Sequence, residues 1–220
     1  MNRTAYQRRL AAIRANTAAL VSKRWDHLEH YDEADAHRFP QQAGAIVGAG
    51  QLLAARTVNG YLSGLLGVDV MTIHAKEVIG PAARRGVGFD EVYQRPFYVS
   101  WHAMSEGEPR DAALSRGRRL LYQLADTDVW LASRTASMLF DSAHAAVTRW
   151  VRAADEGACT ECAAADGMAM NEAAEMAGHP NCGCTSEPIT DPNAEPEASD
   201  PEAITIEHDE ELGPVLRAVG

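Results

Sequence analysis

The sequence predicts a mainly α-helical fold: an elongated helical body, a small α+β knob near the C-terminus and a disordered acidic tail. Hydrophobic residues make up 46% of the 220 residues but aromatic residues only 6%, and alanine is abundant, which favours helices over a β-sandwich. All four cysteines lie between Cys159 and Cys184. From Asn171 onward the chain holds twelve acidic side chains and one basic side chain, whereas the part before it holds 19 of each. The net charge of −11 therefore belongs to the C-terminal part.

These patterns divide the chain into four segments. They are a basic N-terminal helix (1–35), a helical body (36–148), a Cys/His knob (149–190) and an acidic, proline-rich tail (191–220). The tail alternates prolines with acidic and small residues, a composition that buries too little apolar surface to become ordered. Its apolar positions, among them Ile204 and Leu216, are either a short docking peptide or isolated apolar residues in a loose segment.

The first helix is predicted over residues 5–32 because its apolar residues recur near helical spacing. They are Tyr6, Leu10, Ile13, Leu20 and Trp25. From Met1 to Trp25 the chain carries six basic side chains and no acidic one. Such a helix can contact nucleic acid or an acidic partner, although a solvated helix face is the simpler interpretation.

A second helix is predicted over residues 41–66, after a break at Asp32–Asp35 and Phe39–Pro40. It is rich in small residues and then in leucines, and Gly67 is expected to end it. Gly48-Ala49-Gly50 is not a nucleotide-binding loop, because no strand precedes it and Leu53 stands where the third glycine would be.

Three further helices are predicted in the body. Pro96 is placed in the first turn of a helix that ends near Ser105, and Pro109 starts the next helix, which extends to Leu124. Asp126 or Asp128 is expected to cap a third helix, whose apolar face extends from Val129 to Val147. Thr148–Arg152 alternates like a strand.

The cysteines and one histidine carry the clearest chemical signal. The candidate metal ligands are Cys159, Cys162, His179, Cys182 and Cys184. A Cys-x2-Cys turn followed by a His-x2-Cys-x-Cys turn can hold one tetrahedral ion, and sulfur-rich tetrahedral sites favour zinc. Paired disulfides or free thiols are the alternatives. A structural site is expected, since five candidates compete for four positions and one of them is left over.

The sequence contains no recognisable catalytic pattern. The other histidines are isolated, and we find no phosphate-binding loop, no His-Glu-x-x-His motif and no paired carboxylates on one face. We therefore expect that the protein is not an enzyme. We also expect no membrane span and no signal peptide, because polar residues interrupt the most apolar stretch, Phe39–Val68, and the basic start is followed by an amphipathic segment.

One string of residues resembles a known family. Trp150, then Cys159 and Cys162, then Asp166-Gly167 and finally the motif His179-Pro180-Asn181-Cys182-Gly183-Cys184 are similar to the C-terminal signature of the Mu F-like minor head proteins of tailed bacteriophages. The resemblance covers residues 95–190, includes a helix ending at Trp150, and is strongest from Trp150 to Pro188. Gly183 stands where the family usually has arginine, a position that is not a ligand.

The resemblance implies a structural role inside the phage head at the portal vertex, in head assembly and DNA packaging or delivery. The implied partners are the portal protein, the major capsid or scaffolding protein, and packaged DNA through the basic N-terminal helix. The protein would be made in the host bacterial cytoplasm and would not contact a membrane. A zinc-containing nucleic-acid-binding or regulatory module is the main alternative, and a zinc hydrolase is a third one that needs an open coordination position.

Overall fold

The structure is a computed structural model that describes residues 1–30, 32–144, 147, 149–179 (without the side chain of Ala174), 182–191 and 193–219. Helices cover 59% of the chain and strands 11%, which confirms the mainly α-helical class. The helices are α1 (Arg3–Trp25), α2 (Glu33–Leu66), α3 (Ala75–Val78), α4 (Phe89–Ser105), α5 (Arg110–Ala143) and α6 (Thr160–Ala164). The strands are β1 (Trp150–Ala153), β2 (Ala169–Met170), β3 (Thr185–Pro188), β4 (Ile204–Asp209) and β5 (Gly213–Ala218).

Helices α1 and α2 differ from their predicted bounds at the junction between them. Helix α1 ends at Trp25, and α2 already begins at Glu33, where the side chain of Asp32 accepts a hydrogen bond from the Ala34 amide. Pro40 therefore lies inside α2 and does not break it. Pro40 is buried with its neighbour Phe39, so tertiary packing compensates for the backbone hydrogen bond that proline cannot donate. Gly67 ends α2 with a φ of +68°, as predicted.

The predicted bounds of the later helices are wrong in two places. Pro96 lies in the middle of α4, which begins seven residues earlier at Phe89. Asp126 and Asp128 do not cap a new helix, because α5 runs without a break from Arg110 to Ala143. Both aspartates are buried and bind arginines, so their carboxylates are not available to a helix terminus.

The apolar core forms two clusters along these helices. One joins the first half of α1, the second halves of α2 and α5, and the knob. The other joins the end of α1, the first half of α2, α4 and the first half of α5. In this second cluster the rings of Trp25, Phe39 and Phe97 meet with centroids 4.7 to 5.6 Å apart. Helix α1 therefore runs opposite to both α2 and α5.

The knob is built on a three-stranded antiparallel sheet in the order β2-β1-β3. Its first strand begins at Trp150, so this tryptophan opens a strand and does not end a helix; Thr148 of the predicted strand lies outside the described residues. Trp150 is fully buried, and its indole N–H donates to Asp141 near the end of α5 at 2.8 Å. The knob and the helices thus share one core, and the small sheet near the C-terminus is confirmed.

The tail forms a β-hairpin of β4 and β5 across much of its length, so the expected disorder is not confirmed. Ile204 and Leu216 pack against Ala165 and Ala177 of the knob, which supplies the apolar surface that composition alone did not reveal. Pro192 and Gly220 of the predicted tail lie outside the described residues. Among the described residues no helix combines the length and the apolar character that crossing a membrane requires.

Candidate metal centre

Two of the five predicted ligands are placed by α6. Cys159 is the residue immediately before this helix, in extended conformation, and its sulfur accepts a hydrogen bond from the Cys162 amide at 3.5 Å. A cysteine that caps a helix start lies on the same side as the residue three positions later. The short helix therefore holds the two thiols of the Cys-x2-Cys motif beside each other.

The other three ligands come from the segment between β2 and β3. His179 follows Gly178, which forms a bridge with Val215 of β5. The Cys182 amide donates to the His179 carbonyl at 2.9 Å, which closes a turn between these two ligands. Cys184 directly precedes β3. Pro180 and Asn181 of the predicted motif lie outside the described residues.

The structure brings the five side chains together in two overlapping groups. Cys159, Cys162 and His179 form one group, and Cys162, Cys182 and Cys184 form the other, with the ligand atoms of each group within 4.8 Å of one another. His179 Nε2 lies 3.0 Å from the sulfurs of both Cys159 and Cys162, and the Cys162 and Cys182 sulfurs are 3.6 Å apart. Donors around one tetrahedral zinc, bound at about 2.1 to 2.3 Å, would lie about 3.4 to 3.8 Å apart. Each group of three approaches this spacing, but among the described residues no four of these donor atoms all lie within 4.8 Å of one another, so one tetrahedral ion would require the two groups to move closer together.

The cysteines are unpaired and largely removed from water. All four are free thiols, and Cys162, Cys182 and Cys184 are at most 2% exposed. The Cys162–Cys182 distance of 3.6 Å is far longer than the S–S bond of about 2.05 Å. The disulfide alternative is therefore not supported by this geometry.

The thiols strongly perturb one another. Hydrogen bonds from Cys162 and Cys184 lower the pKa of Cys182 well below its ordinary value. The hydrogen bonds to Cys182 and Cys184 raise the pKa of Cys162. A hydrogen bond with Cys162 lowers the pKa of Cys184. The contact of Cys184 with Cys182 and the burial of Cys184 have the larger combined effect, and the pKa of Cys184 is raised to about 12. Without a cation the cluster favours a single thiolate, whereas a bound dication stabilises several.

Arg152 is the principal residue of the site that sequence reasoning missed. It lies on the central strand β1, is 1% exposed, and donates to the sulfurs of Cys162 at 3.2 Å and Cys182 at 3.5 Å. A further hydrogen bond reaches the Ala177 carbonyl. Burial lowers the pKa of Arg152, but the neighbouring cysteines together have the larger effect, so this pKa is raised above its ordinary value. The sequence signal for Arg152 was a basic residue two positions after a tryptophan, within the predicted strand Thr148–Arg152.

Arg14 connects the first helix to the same loop. Its guanidinium donates to the main-chain carbonyl of Cys182 and pairs with Asp126 of α5, with 3.0 Å between Nε and Oδ1. Both side chains of the ion pair are about 10% exposed or less. Helix α1 therefore supports the loop that carries Cys182, a role that its general basic character did not reveal.

Arg134 is a third buried arginine near the cysteines. It lies over the ring of Trp130 at 4.9 Å and donates to the Leu212 carbonyl at 3.2 Å. Burial lowers its pKa to about 10, partly offset by Cys182. Its Nε, like that of Arg152, is buried without a hydrogen-bond partner among the described residues. No carboxylate of the described residues pairs with Arg134 or Arg152, so these two buried cations point to a compensating negative charge in the cluster.

Comparison of the chain with protein-family models, with curated proteins and with solved structures gives no match.

Proposed function

We propose that the Cys/His cluster holds one structural zinc ion, and that the chain is a minor head protein of a tailed phage that acts inside the capsid at the portal vertex. The observation that carries the metal assignment is the pair of overlapping ligand groups that share the buried Cys162. Sulfur-rich tetrahedral donors are typical of zinc. The assignment to a head protein rests on the ordered string of motif residues and on the role that each takes in the fold.

Charge balance supports a metal–thiolate centre. A zinc ion with three thiolates and one neutral histidine carries a net charge of about −1, and one with four thiolates carries about −2. Arg152 alone balances the first, and Arg152 together with Arg134 balances the second. Buried cations without a counter-charge are costly, and of the two centres only the one with four thiolates balances both arginines.

Burial supports a structural rather than a catalytic ion. A catalytic zinc keeps a coordination position open to water and substrate. Here three of the four sulfurs are nearly inaccessible, and the two groups of candidate donors together offer more donors than one tetrahedral ion needs. A hydrolase is therefore the weaker alternative.

The remaining residues of the family string also have structural roles. Asp166 accepts a hydrogen bond from the Ala154 amide at 2.8 Å, and Gly167, with a φ of +82°, donates to the Arg152 carbonyl at 3.0 Å. These contacts return the chain from α6 to the central strand. Trp150 anchors that strand to α5. Trp150, Asp166 and Gly167 thus shape the knob, which suits a building block of an assembly.

A zinc-containing nucleic-acid-binding module is the second candidate, and pairing of the basic helix argues against it. Arg3 binds Glu187 and Arg8 binds Glu156, both in the knob segment, while Arg14 binds Asp126. Three of the six cations that precede Trp25 are thus already paired within the chain. We propose the portal protein as the main partner, with the major capsid or scaffolding protein and packaged DNA as further contacts.

The metal assignment is tested by measuring zinc per chain in native protein and in single variants. We expect one zinc in the native protein and none in Cys162→Ser, because Cys162 belongs to both ligand groups. Cobalt substitution of Cys159→Ser, Cys182→Ser and Cys184→Ser then tests the remaining thiolates, since loss of a thiolate ligand weakens the sulfur-to-cobalt absorption. His179→Ala tests the histidine through a change in the cobalt d–d bands at unchanged sulfur-to-cobalt absorption. Unchanged zinc in Cys162→Ser contradicts the site.

The head-protein assignment is tested by quantitative mass spectrometry of purified particles and assembly precursors of the source phage. A low and fixed copy number relative to the major capsid protein supports a place at the portal vertex. Absence of the chain from both mature particles and precursors contradicts it. Salt-dependent DNA binding by the isolated protein would then favour the nucleic-acid-binding alternative.

A further inference from the structure

The turn between β4 and β5 places an acidic side chain of the tail onto the helical body. The Glu211 carboxylate accepts hydrogen bonds from Arg84 and from Arg95, whose Nη1 lies 3.2 and 3.1 Å from the two carboxylate oxygens. Arg84 follows α3, and Arg95 lies on α4. The contact therefore joins residues more than 110 positions apart and is independent of the metal ligands.

Arg84 is held in place from the body side. Its side chain is 3% exposed, and its Nε donates to Asp128, which is fully buried and also accepts from the Tyr93 hydroxyl. The remaining Nη1 faces Glu211. Because Asp128 and Tyr93 belong to the body, these contacts to the guanidinium do not involve the tail.

The site also contacts the main chain of the turn. Arg134 donates to the Leu212 carbonyl at 3.2 Å. Gly213 has a φ of +82°, and a Cβ at this position would lie 2.7 Å from the Arg85 guanidinium. Leu212 packs against the core cluster that includes the knob. The contacts together recognise a carboxylate, a main-chain carbonyl, an apolar side chain and a glycine, which is the chemistry of a peptide.

An open cavity continues beside the bound carboxylate. It has a volume of about 210 Å³ and is lined by both arginines, by Gln123 and Thr127 of α5, and by Asp209, Glu211 and Leu212 of the tail. Because the tail forms part of the wall, displacing the turn would enlarge this space. Glu211 is 23% exposed at its edge, so the contact can be reached from solvent.

We propose that Arg84, Arg95 and Arg134 form a docking site for an acidic peptide segment of another protein, which the chain's own Glu211–Leu212 occupies in the closed form. The depth of Arg84 favours a peptide over a nucleic acid, since a carboxylate on a flexible side chain reaches it and a backbone phosphate does not. The displacement concerns the turn and not the whole hairpin, because Val215 and Leu216 of β5 are buried. On the other side of the turn, five of the six residues of β4 are exposed, and the tail's many acidic groups repel one another.

The test measures binding of a fluorescent peptide with the sequence of residues 204–218 to the full-length chain by anisotropy. We expect Glu211→Ala protein to bind it about tenfold more tightly than native protein, because the competing carboxylate is removed from the cis segment. Adding Arg95→Ala to Glu211→Ala should remove most of this gain. Adding Arg119→Ala, an exposed arginine elsewhere on α5, should leave it unchanged.

Several outcomes would overturn the proposal. Equal affinity of native and Glu211→Ala protein, or binding that ignores Arg95→Ala, shows that the arginines do not select the peptide. More effective displacement by an oligonucleotide than by the unlabelled peptide assigns the site to phosphate. Self-association of Glu211→Ala protein in sedimentation, without peptide binding, makes a second copy the occupant. Zinc content and circular dichroism are measured for every variant. Equal values show that a change in peptide binding does not come from loss of metal or of the fold.

Discussion

Arg14 in the first helix donates a hydrogen bond to the main-chain carbonyl of Cys182, 168 residues further along the chain. The same guanidinium pairs with Asp126, so one buried cation joins α1, α5 and the loop that carries Cys182. The basic character of α1 thus serves the interior of the protein at this position. Nearby, Tyr61 of α2 donates to the buried Glu187 of β3 at 3.0 Å, a second link between the helices and the knob.

Replacing Arg14 should destabilise the protein strongly. Arg14→Gln leaves the Asp126 carboxylate buried without a cation and the Cys182 carbonyl without this donor. Removing one partner of a buried pair costs about 3 to 5 kcal/mol. Urea unfolding measures the loss. Arg9→Gln, an exposed position on the same helix, is the control and should change stability by less than about 0.5 kcal/mol. Equal effects of the two variants would contradict the role of the buried pair.

Arg152 should contribute to metal affinity without being a ligand. Arg152→Gln removes the positive charge beside the Cys162 and Cys182 sulfurs. Residues that support metal ligands in this way typically change affinity about 10- to 100-fold. Competition with a zinc chelator measures the change. Arg149→Gln, one residue before β1, removes only a hydrogen bond to the Ala194 carbonyl and serves as the control. If both variants retain native zinc affinity, the charge-balance argument fails.

The crossing of α4 and α5 depends on the absence of a side chain at Gly117. A Cβ there would overlap Ser100 Oγ and lie 2.7 Å from the Pro96 carbonyl oxygen. Gly117→Ala should therefore lower stability by about 1 to 3 kcal/mol through overpacking. Gly64→Ala on α2 has open space around it and should raise stability by about 0.5 to 1 kcal/mol. Thermal unfolding of both variants measures the contrast, and a neutral Gly117→Ala would show that the helices can separate there.

Stability should fall as the pH drops below about 6.5, partly because of His30. Burial, and after it Arg110, lowers the pKa of His30 in the folded protein. Between the folded and unfolded pKa values the unfolded chain binds more protons, so protonation favours unfolding as the pH falls. Urea unfolding from pH 7.5 to 5 measures the slope. His30→Leu should reduce it, whereas His27→Gln at an exposed position should not. Identical slopes in all three proteins would contradict this assignment.

The sequence contained enough local information to predict the candidate metal cluster. Cys-x2-Cys and His-x2-Cys-x-Cys are short turns, and the spacing within each turn already places its side chains on one side. That the two turns meet depends on the sheet around them, with β2 between the turns and β1 and β3 on either side in sequence, and the structure brings them together around Cys162. Arg152 escaped prediction because a buried arginine is defined by its surroundings, which no local pattern contains.

The errors in the helices have the same origin. Asp126 and Asp128 have the composition of a helix start, but their partners are Arg14 and Arg84, 112 and 44 residues away. Once paired they are compatible with a continuous helix. The tail was predicted to be disordered from its acidic composition. Its hairpin instead uses Leu216 and Glu211, which contact an apolar surface and two arginines contributed by earlier parts of the chain.

The position of Glu211 late in the chain also has a consequence while the protein is being synthesised. Synthesis proceeds from the N-terminus, and earlier parts of a chain generally fold first. Arg84 and Arg95, with Asp128 beneath them, therefore emerge from the ribosome well before the turn that covers them. Each newly made molecule passes through a period in which the arginines face solvent. An acidic protein present at that moment meets the site uncovered, without having to displace the tail.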